Sequence, residues 1–306
     1  MSNELSDKIK EFCLAEGFFK TGFSKYEKLT NEVTHLNNWI SEGRNADMNW
    51  ISRNEEKRED ISLILSGVKS VISLAYMYDT PFLHDESLPK ISRYAWGKTD
   101  YHKVLKSKLE IICNKIKSIC GDAETKYYVD DGPVMEKVWA VKSGIGWLGK
   151  HGNVINEERG SFFFLCEILI NKELNYDNPV DNLCESCKIC IDACPTGAIY
   201  DDYKVDSNLC ISYHTIENKN EIPSYIDLSG WIFGCDICQD VCPFNKRKHF
   251  TDDNNFYPMK EVFGKTADEL KSLSKEKFDT LFVDSPVKRT KYAGWQRNLN
   301  KFTTKD

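Results

Sequence analysis

Eight of the twelve cysteines in this 306-residue sequence lie between residues 184 and 242, at intervals that suit metal chemistry. The first run is Cys184-x2-Cys187-x2-Cys190-x3-Cys194-Pro195, the full spacing by which bacterial ferredoxins hold iron–sulfur clusters. In that arrangement the last cysteine reaches across to the other cluster. The second run, Cys235-x2-Cys238-x3-Cys242-Pro243, is one cysteine short. A 4Fe–4S cluster takes four thiolates, and Cys210, between the runs, is the candidate for the missing ligand. With crossing ligands, Cys184, Cys187, Cys190 and Cys242 hold one cluster; Cys194, Cys210, Cys235 and Cys238 hold the other. Two neighbouring clusters make an electron wire, so the remaining residues must supply something that uses single electrons.

Structural zinc is the competing reading, since paired C-x2-C knuckles bind it. Zinc sites usually separate their pairs by a longer spacer, whereas here three cysteines recur at short intervals before Cys-Pro. Residues 1–10 are polar and charged, unlike a signal peptide, and the most apolar stretch, residues 162–170, is interrupted by Cys166 and Glu167. The expected location is the cytoplasm, where thiols stay reduced and clustered cysteines favour metal over disulfides. Cys13, Cys113, Cys120 and Cys166 read as packing residues.

The elements that must position this chemistry follow from periodicity. Leu5, Ile9, Phe12 and Cys13 mark a first helix stopped by Gly17. Residues 71–78 (VISLAYMY) read as a buried strand, and residues 161–170 as another. Leu105, Leu109, Ile112, Ile116 and Cys120 line a long amphipathic helix closed by Gly121. A short strand over 127–130 runs into the turn Asp131-Gly132-Pro133, with Pro133 expected as the first residue of a helix carrying Met135, Val138 and Val141. Mixed helix and strand patterns over 1–175 indicate an α/β or α+β domain; cysteine-rich loops fill 176–248, and 249–306 reads as a short helical segment.

Hydrophobic residues make up 41% of the chain and charged residues 29%, an ordinary globular balance. The net charge of −6 argues against a protein basic all over but leaves room for a local basic face. Residues 285–306 offer one: Lys288, Arg289, Lys291, Arg297, Lys301 and Lys305, interleaved with Tyr292, Trp295 and Phe302. Such a segment is either a solvated tail or a nucleic-acid contact.

Three segments, 92–102, 129–137 and 144–153, concentrate glycine, aromatic and polar residues. Glycines this dense let a backbone approach a ligand, or only make turns. None follows the Rossmann or P-loop pattern. Asp130, at the end of a strand, could serve as a general acid if a partly buried site raised its pKa, with Asp131 better suited to a turn or cap. His102, His151 and His214 are metal-ligand or base candidates, against the commoner role of a hydrogen-bonding histidine.

Taken together, the segments resemble the epoxyqueuosine reductases, enzymes of the last step of queuosine synthesis in tRNA. The residues carrying the resemblance are Met48 to Arg53, Ser92 to His102, Asp130-x-x-Pro133 with Glu136, Gly146-Trp147-x-Gly149-Lys150, Cys210 to Glu217 (CISYHTIE), Gly234-Cys235-Asp236-x-Cys238-Gln239, Pro286-x-x-Arg289 and Gly294-Trp295-x-Arg297-Asn298. Longer family members continue into a helical-repeat tail, whereas this sequence stops soon after Asn298. The resemblance implies a reductive-dehalogenase-like cobalamin-binding domain, a ferredoxin-like module with two 4Fe–4S clusters, and a short helical segment contacting tRNA. It implies Asp130 as proton donor, with Arg53, Arg93, Asp130, His151, Asn153 and Ser212 around cobalamin. It also implies tRNA carrying epoxyqueuosine in the anticodon loop as substrate, an external low-potential donor of ferredoxin or flavodoxin type, no membrane association and a monomer. Two other readings compete: a reductive dehalogenase acting on a small organohalide, and an electron-transfer module with no substrate of its own.

Overall fold

The computed structural model describes residues 2–247 and 249–302; Lys248, Lys305 and Asp306 of the segments above lie outside the described residues. Helix α1 (Ser2–Ala15) stops before Gly17, whose φ of 91° is open to glycine and costly to most other residues. There follow β1 (Lys20–Lys25), α2 (Thr30–Ser41), α3 (Glu55–Glu59), β2 (Ser70–Met77), β3 (Lys90–Ile91), α4 (Tyr101–Ile119), β4 (Thr125–Tyr128), α5 (Glu136–Lys142), the hairpin β5 (Trp147–Leu148) and β6 (Val154–Ile155), and β7 (Phe163–Ile170). The main sheet runs β1-β2-β7-β4 with every pair antiparallel, which places the domain in the α+β class.

Strand alternation divides β7 between two environments. Phe164, Cys166, Ile168 and Ile170 join Ile9, Leu105, Leu109 and Ile112 of α1 and α4 in the largest core. Phe163, Leu165 and Leu169 face the other way, toward α5 with its buried Trp139 and Ala140, and Glu167 shares their face. Cys13, Cys113 and Cys166 are buried and Cys120 is half-buried, as their packing role requires.

The cysteine-rich region holds α6 (Ile189–Asp192), the hairpin β8 (Ile199–Asp201) and β9 (Lys204–Val205), α7 (Ile211–Ile216), β10 (Trp231–Phe233) and α8 (Ile237–Asp240); α9 (Ala267–Lys271), α10 (Lys275–Leu281) and α11 (Lys291–Asn300) follow. Helices α6 and α8 pack on each other, and β10 pairs in parallel with β3. A further core takes Ile91 and Trp96, Ile216 and Phe233, and Phe278, Phe282 and Trp295, one group from each of the three sequence segments. Asn298, fully buried, donates from Nδ2 to the carbonyls of Thr215 (2.9 Å) and Ile232 (2.8 Å). Arg297 donates to the carbonyls of His214, Asn218 and Asn220 at 2.6–2.8 Å.

Two local expectations change. Helix α5 begins at Glu136, three residues after Pro133; the loop before it is held by its own side chains, with Val129 N–H donating to Asp131 Oδ1 (3.1 Å) and Asp130 N–H to Glu136 Oε1 (2.5 Å). In the C-terminal segment, Trp295 is fully buried, and Arg297 and Lys301 spend their donors on backbone carbonyls. Lys288, Arg289 and Lys291 remain exposed.

Trp295 packs against Phe282 and Phe278 at centroid separations of 5.2 and 5.7 Å. Trp295→Ala is expected to cost about 3–5 kcal/mol, read from denaturant unfolding followed by tryptophan fluorescence. A loss under about 1 kcal/mol would mean that α11 contributes little to holding the segments together.

Candidate active site

The loop between β4 and α5 is shaped by its own residues. Gly132 passes so close to Tyr128 that a Cβ there would lie 2.1 Å from the ring. Asp130 takes φ 54°, a left-handed conformation that aspartate tolerates better than most residues. This places it two residues beyond the end of β4, in a turn. Its carboxylate Oδ2 accepts a hydrogen bond from Tyr101 Oη at 2.8 Å, and Tyr101 is fixed by stacking on Phe164 at 4.4 Å. Burial, and then the Asp130 charge, hold the Tyr101 hydroxyl well above its usual range, so it remains a donor. Asp131 serves the turn and pairs with Lys106.

Asp130 opens on a cavity of about 1220 Å³, larger than most small-ligand sites. Its walls are largely apolar, with Leu36, Val138, Leu148, Val154, Phe163 and Ile211 among them. His151, Asn153 and Ser212 line the same cavity; Arg53 and Arg93 are not among its lining side chains. Arg53 is exposed beyond the turn Asn49–Ser52. Arg93 is buried against Asp240 (2.6 Å), Asp236 (3.3 Å) and Asp79 (3.5 Å). Asp236, between Cys235 and Cys238, also accepts from Ser92 Oγ and from Arg93 N–H at 2.8 Å. Arg93 thus braces the cysteine loop from behind, with burial raising the Asp236 carboxyl against the pull of the guanidinium.

Of the three histidines, His102 bonds Asp100 at 2.7 Å and His214 sits between Asn208 O and Asn218 Nδ2. His151 differs. Its Nδ1 accepts from Asn153 N–H at 3.2 Å, which leaves the proton on Nε2, a buried atom with no partner in the protein. Burial, then Lys137, push its pKa down to about 4, so it is a neutral donor for a bound group. Lys137 is tied to Gly152 O (2.7 Å) and Asn153 Oδ1 (3.1 Å), which fixes that rim. Gly146 and Gly149 are explained by packing: a Cβ would fall 2.0 Å from Ile155 O and 2.6 Å from Ile155 Cδ1 respectively.

The cysteines divide by position. Cys194, Cys210, Cys235 and Cys238 line the cavity, whereas Cys184, Cys187, Cys190 and Cys242 are not among its lining residues. Burial, then the thiols of Cys184, Cys242 and Cys187, push Cys190 up to about 11. Burial likewise raises Cys235, with Cys238 and Cys210 among the neighbours adding to it. Cys238 feels Cys210 and Cys194 and also Cys190, which marks where the two groups of thiols approach. Among the described residues no three His, Cys, Asp or Glu side chains close on a single ion. The thiolates of an iron–sulfur cluster each bind a different iron and need not converge on one point as zinc ligands do. Trp147 Nε1 lies 3.5 Å from Cys184 Sγ, a donor to that sulfur.

Sequence reasoning passed over Glu167. It is fully buried in β7, and burial, then the Glu136 carboxyl, hold its own carboxyl well above the usual range. The signal was visible as one acid inside the apolar run FFLCEILI. Among the described residues, no helix is long and apolar enough to cross a membrane.

Comparison with known proteins gives two family matches: a 4Fe–4S double cluster binding domain over residues 183–245, and Epoxyqueuosine reductase QueG, DUF1730, over residues 58–131. The chain is 41% identical over 297 residues to the epoxyqueuosine reductase of Cellulophaga algicola, covering 96% of this chain and 97% of that one. It is similar to a crystal structure of epoxyqueuosine reductase with an epoxyqueuosine-modified tRNA-Tyr stem loop, at TM-score 0.90 and 29% identity, over 97% of this chain and 80% of that one. A reductive dehalogenase described with B12-dependent dehalogenation shares the fold at TM-score 0.52 and 13% identity, over 98% of this chain and 38% of that one. With this identity along nearly its whole length, the chain belongs to the epoxyqueuosine reductases, a family of oxidoreductases.

Proposed function

We propose that this chain reduces epoxyqueuosine to queuosine at the anticodon wobble position of tRNA, with Asp130 as proton donor and cobalamin in the large cavity. The observation that carries this reading is that four cysteines, an aspartate held by a tyrosine, and a histidine with an unpartnered buried Nε2 all face one cavity. Its size, its apolar walls and the donor chemistry of His151 fit a large cofactor held by few polar contacts. Asn153 and Ser212 would join His151 in holding it. Cys194, Cys210, Cys235 and Cys238 would hold the cluster beside the cavity, and Cys184, Cys187, Cys190 and Cys242 the cluster beyond it. Bound cobalamin supplies a strongly reducing, nucleophilic centre for the epoxide carbon, replenished by electrons from the clusters.

Asp130 then holds a proton where the epoxide oxygen departs, which spares the site a free alkoxide. Tyr101 orients the carboxyl through its hydrogen bond to Oδ2. Residues 1–175 would form the cofactor-binding catalytic part, 176–248 the electron-carrying part and 249–306 part of the RNA contact. Arg289 stands over the Trp50 ring at 5.8 Å, beside the exposed Lys288 and Lys291. Arg289 is exposed, pairs with Glu217 and lies within electrostatic reach of Asp130, so it can meet an anticodon phosphate or base. An external low-potential donor of ferredoxin or flavodoxin type, action as a monomer and a cytoplasmic location complete the reading.

The test is anaerobic turnover of tRNA carrying epoxyqueuosine by protein with rebuilt clusters, added cobalamin and a low-potential reductant, with the digested tRNA analysed by mass spectrometry. Queuosine is expected only when cobalamin is present. Its absence, with cobalamin bound and both clusters reduced, would move the weight to a small-molecule substrate.

A further inference from the structure

Converting an epoxide to an alkene breaks two C–O bonds, forms one C=C bond and releases water. It consumes two electrons, which the external donor supplies, and two protons. Asp130 carries one proton at a time. The second must reach it within the same turnover, and a protonated group beside Asp130 would supply it without a wait for solvent.

We propose that Glu136 and Glu167 form such a proton store: a carboxyl pair, Glu167 buried and Glu136 half-buried in the cavity wall, that retains a proton and passes it to the Asp130 carboxylate after the first transfer. The inference rests on the reading of Asp130 as proton donor. Glu136 lines the cavity, and its Oε1 accepts the Asp130 N–H at 2.5 Å, which ties the two residues together. Behind it stands Glu167, wholly removed from solvent, with no amide or hydroxyl donor on either oxygen. The group Glu167 faces is the Glu136 carboxyl. Two carboxyls in contact make a hydrogen bond only if one carries a proton, and an ionised carboxylate without donors is too costly to bury. The surroundings keep the pair isolated. Ser73, opposite Glu167 in register on β2, and Trp139 on α5 each present a buried polar atom with no partner.

The charged and titratable groups around the pair are Asp130 and Asp131 of the loop, Lys137 of α5, Arg58 of α3, the Cys166 thiol on β7 and Tyr128 of β4, opposite Glu167 in register. Burial, then Asp130, raise Glu136 to about 8, against the opposing effects of Lys137 and the Asp130 N–H. The pair therefore keeps its proton through neutral pH and loses it in alkali. Glu136 supplies the proton through Asp130, and Glu167, coupled to the Glu136 carboxyl behind it, is a positioning residue.

Glu136→Gln separates this role from a structural one. Glutamine keeps an oxygen to accept the Asp130 N–H but has no proton to give at a useful pKa. Single-turnover queuosine formation, with excess reductant and cofactor-loaded enzyme, is to be measured from pH 6 to 9 for the parent, Glu136→Gln and Glu167→Gln, beside the infrared band of protonated carboxyl groups. The parent rate is expected to hold to about pH 8 and fall above it. Glu136→Gln should lose roughly tenfold or more in rate with RNA affinity unchanged, and should lose the carboxyl band. Glu167→Gln should move both the band and the alkaline limb to lower pH, because the neighbouring acid is gone. Parent-like profiles and an unchanged band in both variants would overturn the store. The infrared band is read without turnover, so it judges the pair even where Asp130→Asn overturns the donor reading.

Discussion

Asp130→Asn is expected to bind cobalamin and both clusters as the parent does and to form queuosine at least about a hundredfold more slowly, the lower end of what a positioned general acid contributes. The substitution is clean for structural reasons. Asparagine tolerates the left-handed φ of 54° at this position, its side-chain oxygen still accepts from Tyr101, and its N–H still reaches Glu136. What disappears is the acidic proton. Single-turnover product formation measured by mass spectrometry, with cluster and cobalamin absorbance as the control for loading, reads the effect. Turnover near the parent rate would remove Asp130 from the proton-donor role.

Cys210→Ala carries the second large effect. Cys210 precedes α7, lines the cavity and neighbours Cys194, Cys235 and Cys238. Removing it should cost the cluster beside the cavity and leave the one proposed for Cys184, Cys187, Cys190 and Cys242. Iron and sulfide should fall to about half the parent content, since the two clusters carry equal iron. Queuosine formation should stop, because the remaining cluster is separated from the cavity by the missing one. Iron content equal to the parent's would take Cys210 out of the ligand set.

Much of this was legible because local rules and global packing agree. Gly17 ends α1 where periodicity stops, the VISLAYMY run is β2, and the Leu105–Ile116 stripe is the buried face of α4. Cysteine spacing needs no tertiary context. The failures share one cause, that a side chain's partner can be distant in sequence. Pro133 reads as a helix start, but α5 begins only at Glu136, after a loop whose Asp130 N–H bonds the Glu136 side chain. Trp295 and Arg297 looked like RNA contacts, but their partners, Phe282 and the carbonyls around residues 214–220, are not deducible from composition. Arg93 was expected at the cofactor, yet its three acidic neighbours include two from the cysteine loop more than 140 positions away. Glu167 was read as an interruption of an apolar run, since only the fold sets it against a second acid.

The clamp made by Arg297 and Asn298 imposes an order on biogenesis. Synthesis proceeds from the N-terminus, so all eight cluster cysteines leave the ribosome before α11 does. Until α11 arrives, the carbonyls of His214, Thr215, Asn218 and Ile232, which flank Cys210 and Cys235, lack the donors they hold in the folded protein. The nascent chain therefore presents its cysteines on a loosely held scaffold, and the final helix fastens that scaffold last.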